Sequence, residues 1–229
     1  MASNGFTLRV GTLVLLFLGV GIAAPVALHF SLHGAVNVHQ IGMAFFLWLN
    51  VMINLWEFCL LRHIDLIEQD AKRYIPEYKG RELQRIFDFF GKPLRPRQFF
   101  ASRTWSEVWS SYAVFDPSYA DKSSFGFWID VGNGFSTLLP ALFVLYGMTF
   151  QVFPAWVLGL VGLLMLWQMF YGTVVYFSSY LLNRRYKGHT VKNLIVFVGM
   201  SNLLWMVFPI WGAVVCLELL MSNSYAVLG

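Results

Sequence analysis

The stretch Phe125-Gly-Phe-Trp-Ile-Asp-Val-Gly-Asn-Gly-Phe-Ser-Thr-Leu-Leu-Pro140 opens an apolar run long enough to cross a membrane, yet it contains one carboxylate, Asp130. An ionisable side chain in such a run is costly, and in membrane proteins it usually faces the interior of the helix bundle. The alternative is a wetted residue that sits near the positive end of a helix dipole. The rest of the sequence decides between these two interpretations.

The composition identifies an integral membrane protein. Of the 229 residues, 58% are hydrophobic and only 12% are charged, which is far more apolar material than a soluble domain of this size needs. We predict an all-α bundle of five transmembrane helices that forms one membrane domain, because five runs reach the ~20 residues that a bilayer requires. These runs are Leu8–Phe30, Ile41–Leu61, Phe125–Met148, Val152–Leu182 and Val191–Met221.

The basic residues predict the orientation of the bundle. Of the 16 Lys and Arg residues, Arg9 precedes the first span, eleven lie between the second and third spans, and four lie between the fourth and fifth. With five spans these three regions fall on one side, which the positive-inside rule makes cytoplasmic. We therefore expect a cytoplasmic N-terminus and a C-terminus on the opposite side.

The cytoplasmic segment 62–123 is expected to contain amphipathic helices. Thr104 and Glu107 have the spacing of a capping box, which predicts a helix start there. The aromatic face that follows is typical of a helix lying at the level of the lipid headgroups. A nucleic-acid partner is not expected, because nine carboxylates are interspersed among the eleven cations of the segment. The aromatic residues are Trp105, Trp109 and Tyr112.

The second span carries a polar stripe. Asn50, Asn54 and Glu57 stand at positions i, i+4 and i+7, so they share one helix face. Hydrogen bonding between helices explains the two Asn residues well, since Asn has that role in membranes. It explains the carboxyl group of Glu57 poorly. Glu57 is therefore a candidate functional residue.

Three further spans carry polar or aromatic residues near one face. Together these faces predict a shared intramembrane cavity that is polar in places and lined by aromatic rings. Glu57 and Asp130 are both roughly 8–10 Å from the cytoplasmic end of their spans, at 1.5 Å per residue. The residues of these faces are Asp130, Asn133 and Thr137 on the third span, Gln168, Tyr171, Tyr176 and Ser179 on the fourth, and Asn202 and Trp205 on the fifth.

Two carboxyl groups in a poorly solvated pocket favour acid-initiated chemistry. A neutral acid protonates an alkene or an epoxide, and its ionised partner takes a proton back. The cation formed between these steps needs electron-rich neighbours. We expect them to come from Trp128, Trp205, Tyr171 and Tyr176 and from the amides of Asn54, Asn133 and Asn202.

The motifs of other chemistries are missing from the sequence. It has no Asp-Asp-x-x-Asp, no His-Glu-x-x-His and no Gly-rich phosphate loop, so neither a metal nor another cofactor is expected. Three histidines lie between the first two spans, but their spacing fits no usual set of zinc ligands. They are His29, His33 and His39.

Several motifs resemble those of the emopamil-binding protein family, the EXPERA superfamily. The fifth span has Met-Ser-Asn-Leu-Leu-Trp-Met-Val-Phe-Pro209, which resembles the family's Met-Asn-x-x-Trp-x-x-x-Pro signature. Tyr171-Gly-x-Val-x-Tyr-Phe177 resembles its fourth span, and Glu107-Val-Trp-Ser-Ser-Tyr-Ala-x-x-Asp-x-x-Tyr119 resembles the segment before its acidic third span. The resemblance covers roughly residues 50–209.

The family includes sterol double-bond isomerases, sterol-binding receptors and, more distantly, membrane-bound terpene cyclases. The resemblance implies that Glu57 matches the acid of the second span and that Asp130 matches the acid of the third. It likewise implies that Asn202 and Trp205 match the pair on the fifth span that stabilises a carbocation.

Departures from the isomerase pattern favour the cyclase branch. Ile53 stands where the isomerases have a His, and the third-span acid is Asp instead of Glu. We therefore predict a metal-independent terpene cyclase of a prenylated substrate, with a sterol double-bond isomerase as the alternative and a non-catalytic sterol-binding protein as the third interpretation. The expected partners are a hydrophobic isoprenoid or sterol and membrane lipid, in the endoplasmic reticulum of a eukaryote. Homodimer formation is left open.

Overall fold

The computed structural model describes residues 6–229, apart from the side chains of Phe197 and Met200. Two short strands, β1 (Leu8–Arg9) and β2 (Pro93–Leu94), pair antiparallel. The last helix contains a π-helical segment, Leu194–Gly199, after its first three residues. The helices are α1 (Val10–His33), α2 (Val38–Arg62), α3 (Ile64–Glu77), α4 (Glu82–Gly91), α5 (Ser102–Tyr112), α6 (Phe125–Phe150), α7 (Ala155–Leu182) and α8 (Val191–Ser222).

Five of these helices are long and apolar enough to cross a membrane, namely α1, α2, α6, α7 and α8. The predicted all-α membrane bundle is therefore confirmed, and the ends of its spans differ from prediction by three residues or fewer. Helix α1 begins at Val10 because the two residues before it pair with β2. Helix α2 begins at Val38 because the side chain of Asn37 accepts hydrogen bonds from two backbone N–H groups of its first turn.

Helices pack in two pairs, α2 with α6 and α7 with α8, and α6 joins the pairs through α7. At Gly159 the backbones of α7 and α8 meet, since a Cβ there would lie 2.5 Å from the carbonyl oxygen of Cys216. Small residues permit such close approach between membrane helices. Helix α1 lies at the edge of the bundle, with most of its surface exposed.

Two of the three histidines complete the end of α6. A ring nitrogen of His29 hydrogen-bonds the carbonyl oxygen of Met148 at 2.9 Å, and a ring nitrogen of His33 bonds that of Thr149 at 3.1 Å. The last carbonyls of a helix have no partner within the helix. Capping α6 thus accounts for His29 and His33, whose side chains bind the backbone here.

Helices α3, α4 and α5 cover one end of the bundle, and the aromatic face of α5 packs against the protein. Its aromatic face packs onto α2: the ring of Trp105 stacks on Trp56 with centroids 6.0 Å apart, and Trp109 Nε1 donates to the carbonyl of Trp56. The predicted capping box is wrong, because α5 begins at Ser102 and has no side-chain cap.

A partly buried carboxylate connects α4 to α5. Glu107 accepts hydrogen bonds from Arg85 and Lys92, and this explains why it does not cap the helix. Burial alone would raise the pKa of Glu107, but the hydrogen bonds from Lys92 and Arg85 outweigh it and lower that pKa. Its ionised form therefore stabilises the folded state.

We expect Gly159→Ala to destabilise the bundle by about 1 to 3 kcal/mol, because the added methyl group forces α7 away from α8. The measurement is the thermal midpoint of the detergent-solubilised protein. Gly19→Ala is the matched control, since a Cβ at Gly19 on α1 meets nothing within 4 Å. An equal midpoint for the two variants would contradict this packing.

We expect Glu107→Gln to lower the thermal midpoint at pH 7, with the deficit shrinking as the pH falls below about 4.5. The folded-state pKa of Glu107 lies below its ordinary value, so its stabilisation is present above that value and is lost on acidification. Glu68→Gln, which removes an exposed pair with Lys72, serves as the control. A deficit that stays constant down to pH 3 would rule out this origin.

Candidate functional site

A cavity lies at the end of the bundle that α5 covers, and α2, α6, α7 and α8 form its walls. The space between its walls is about 700 Å³ when the region open to solvent at its mouth is counted. The side chains around it are mainly aromatic, amide and carboxyl groups. They include Trp56, Glu57, Trp109, Tyr112, Tyr119, Asp130, Asn133, Thr173, Tyr176, Ser201, Asn202 and Trp205.

The side chain of Glu57 reaches the cavity from α2. On the side away from the cavity, a group of polar residues from α2 and α6 holds it in place. The amide nitrogen of Asn54 donates to Glu57 Oε2 at 2.8 Å, and its oxygen accepts from Asn50 at 3.0 Å. Asn50 also donates to Thr137 Oγ1 on α6 at 3.1 Å. Gly134 lets the two helices approach, since a Cβ there would lie 3.0 Å from Glu57 Cβ. The carboxyl group is therefore held in one place.

Asp130 faces the same cavity from α6. It is half-buried, and no described group hydrogen-bonds its carboxyl oxygens. Asp130 lies close enough to Glu57 for their charges to interact. Among the described residues that line the cavity there is no Lys, Arg or His to pair with either acid. Two carboxyl groups on one cavity without a basic neighbour can exchange protons with a molecule bound between them.

The floor of the cavity comes from residues that sequence reasoning did not select. Trp109 and Tyr112 project from α5, and Tyr119 projects from the short 3₁₀ turn Pro117–Ala120. Burial raises the pKa of Tyr112 to about 12 and that of Tyr119 well above its ordinary value. These phenols stay neutral, so they offer electron-rich rings and no competing anion. Their only signal in the sequence was the motif from Glu107 to Tyr119.

A third carboxylate lies just behind the cavity wall. Asp116 is 1% exposed, and its Oδ2 accepts hydrogen bonds from Tyr176 Oη at 2.9 Å and from Arg185 Nη1 at 2.7 Å. Arg185 also donates to Ser118 and Ser179. Sequence reasoning overlooked both Asp116 and Arg185, because they flank different spans and are 69 residues apart.

Most of the predicted site residues on α6, α7 and α8 do meet at the cavity. Asn133, Tyr176, Asn202 and Trp205 all line it. Asn202 Nδ2 donates to the carbonyl of Val198 at 2.8 Å, which leaves its amide oxygen as the available acceptor. The part of the wall that α8 forms therefore presents the amide oxygen of Asn202 and the indole of Trp205.

The structure places three predicted residues elsewhere. Trp128 and Tyr171 are each 56% exposed on the outer surface of the bundle. Trp128 is two residues from Asp130, and Tyr171 is five from Tyr176, separations that turn a helical side chain by about 200° and about 140°. Asn54 does not line the cavity but supports Glu57 from behind. These three residues therefore cannot stabilise a cation directly.

Comparison of the chain with protein-family models, with curated proteins and with solved structures gives no match.

We expect Arg185→Gln to destabilise the protein by about 3 kcal/mol or more, since it leaves the buried Asp116 carboxylate without its cation. Arg184→Gln is the matched control, because Arg184 is exposed and adjacent in the chain. The thermal midpoints of the two purified variants provide the comparison. A similar loss in both would show that the ion pair does not hold the floor of the cavity to α7.

Proposed function

We propose that this protein is an integral-membrane terpene cyclase that acts on a prenylated or other isoprenoid substrate. The reaction starts when a carboxylic acid protonates a terminal epoxide or an alkene, and it proceeds through carbocations held inside the bundle. The observation that supports this proposal best is the pairing of Glu57 and Asp130 on one cavity without a basic neighbour among its described lining residues.

Asp130 is the donor that the geometry favours. Glu57 is 3% exposed and receives a hydrogen bond from Asn54, whereas Asp130 faces open space and has no such bond among the described residues. Protonation of an epoxide oxygen opens the ring to a tertiary cation, which neighbouring double bonds attack in turn. Loss of a C–H proton from the last cation ends the reaction, so that the product is an isomer of the substrate.

The walls suit a cationic intermediate. Trp205 and the neutral phenols of Tyr112 and Tyr119 present aromatic faces, which attract positive charge without reacting with it as anions would. The amide oxygen of Asn202 adds a negative dipole end. Because no cation lines the described part of the cavity, nothing there repels the developing charge.

The resemblance to the emopamil-binding protein family supports the same proposal, and it provides the second candidate. Asn202 and Trp205 both line the cavity, as the resemblance to that family's fifth span implies. A sterol double-bond isomerase would use these residues and the same two acids. The Ile at position 53 and the short acid Asp130 favour the cyclase instead.

The distribution of Lys and Arg supports a cytoplasmic location for the end of the bundle that carries α3, α4 and α5. The cavity would then lie near the cytoplasmic surface of the membrane. We propose the endoplasmic reticulum as that membrane, on the resemblance alone. Hydrophobic substrates would enter from the lipid.

We expect membranes that contain the protein to convert an epoxy-prenylated arene into a cyclised isomer. A Δ8 sterol, incubated separately in deuterated water, should come back unlabelled. Glu57→Gln and Asp130→Asn should each reduce cyclisation by about 100-fold or more, since acid–base groups contribute that much. Product formation is measured by chromatography with mass spectrometry.

Glu218→Gln is the control, because Glu218 lies on α8 outside the cavity lining. A shifted, deuterium-labelled sterol would replace the cyclase with the isomerase. Conversion of neither substrate would leave a binding protein. Full activity in both acid variants would refute the assignment of the acids.

A further inference from the structure

We infer that Tyr176 and Asp116 form the terminal base of the reaction, separate from the acids that start it. This inference rests on the proposed function and adds a second proton-transfer site to it. Tyr176 would touch the substrate, and Asp116 would act through Tyr176 as a positioning and proton-accepting residue. The terminal base must be the one of three carboxyl groups that carries the negative charge.

Only one of the three carboxyl groups at the cavity has a cationic partner among the described residues. Arg185 Nη1 lies 2.7 Å from Asp116 Oδ2, and the guanidinium is itself held by two serine hydroxyls. Glu57 and Asp130 have no such partner. The resting negative charge therefore belongs on Asp116, which suits it to accept a proton.

Asp116 is connected to the cavity through Tyr176. Its own carboxylate is buried behind the wall, but Tyr176 Oη donates to it at 2.9 Å and Tyr176 is part of the lining. The phenolic hydrogen of Tyr176 points at Asp116, and its oxygen also interacts with the hydroxyl of Tyr119. One lone pair of that oxygen and the face of the ring remain for the substrate. Tyr119 stacks on Tyr176 with centroids 6.0 Å apart, which fixes the ring.

The proposed step balances in protons and electrons. A C–H bond beside the last cation breaks, and its electron pair forms the product double bond. The released proton goes to Tyr176 Oη while the phenolic proton moves to Asp116 Oδ2, so Tyr176 ends neutral and Asp116 ends protonated. Asp130 has by then lost its proton to the substrate. The resting state returns when the proton on Asp116 moves back to Asp130, through Tyr176 or by exchange with water.

The first test uses the products of the epoxy-prenylated arene. We expect Tyr176→Phe and Asp116→Asn to keep consuming substrate but to lose most of the wild-type alkene, which is replaced by water-trapped alcohols or other double-bond isomers. Tyr180→Phe is the matched control, because the Tyr180 hydroxyl lies one helical turn away, is buried and has no hydrogen-bond partner. A merely structural role would reduce all products in proportion.

The second test needs no turnover. Tritiated N,N-dimethylfarnesylamine, which is positively charged at pH 7, and farnesyl methyl ether, which is neutral, are bound to the purified protein. We expect both variants to weaken binding of the amine several-fold, and Asp116→Asn to do so by about tenfold, while binding of the ether stays within twofold. The double variant Asp116→Asn/Arg185→Gln leaves no unpaired charge, so it controls for misfolding of the single variant Asp116→Asn. We expect the double variant to lose the preference for the amine as well.

The outcomes separate the two proposals. If the wild-type protein cyclises its substrate but both variants give the alkene fraction of Tyr180→Phe, the terminal base is wrong and the cyclase stands. If the wild-type protein converts no substrate, the proposal of a cyclase is wrong. The ratio of amine to ether affinity then still tests whether Tyr176 and Asp116 face a positive centre in the bound molecule. A ratio that falls in the variants supports a positive centre facing Tyr176, and an unchanged ratio overturns it.

Discussion

The contact between the polar faces of α2 and α6 is the constraint on which the rest of this structure depends. Inside a bilayer no water can satisfy a buried amide or hydroxyl, so these groups must bond to one another. Asn50, Asn54 and Thr137 do so, and they fix the register of the two helices. The same register brings Glu57 and Asp130 onto one cavity. Helix packing and the placement of the acids are thus consequences of one set of hydrogen bonds.

The cavity is closed from below by the segment between α2 and α6. The aromatic residues of this segment resemble those of a helix on a membrane surface. They pack against α2, where Trp56 offers a ring and a backbone carbonyl oxygen. The ion pair between Asp116 and Arg185, which follows α7 in the chain, connects this floor to the end of α7. One wall of the cavity is therefore aqueous-side structure, whereas the other walls are membrane helices.

The sequence predicted the five spans and the faces of α2 and α6, since hydrophobic length and helical periodicity are local properties. It also indicated that Glu57 and Asp130 share a depth. Trp128 and Tyr171 were assigned to the cavity by residue type, and counting 3.6 residues per turn from Asp130 and Tyr176 would have excluded them. The floor could not be predicted, because Tyr119, Asp116 and Arg185 meet through contacts between distant parts of the chain. Local sequence patterns do not indicate which carboxylate forms an ion pair with a distant Arg or Lys.

The central claim is that an isoprenoid occupies the cavity between the two acids, and photo-crosslinking tests it most directly. A farnesyl ether with a diazirine at its terminal carbon is irradiated with the protein in membranes, and the labelled peptides are sequenced. The account predicts labels on cavity residues such as Trp109, Asn202 and Trp205, which excess unlabelled ether removes. Specific labelling confined to the outer surface around Trp128, Tyr171 or α1 would contradict it.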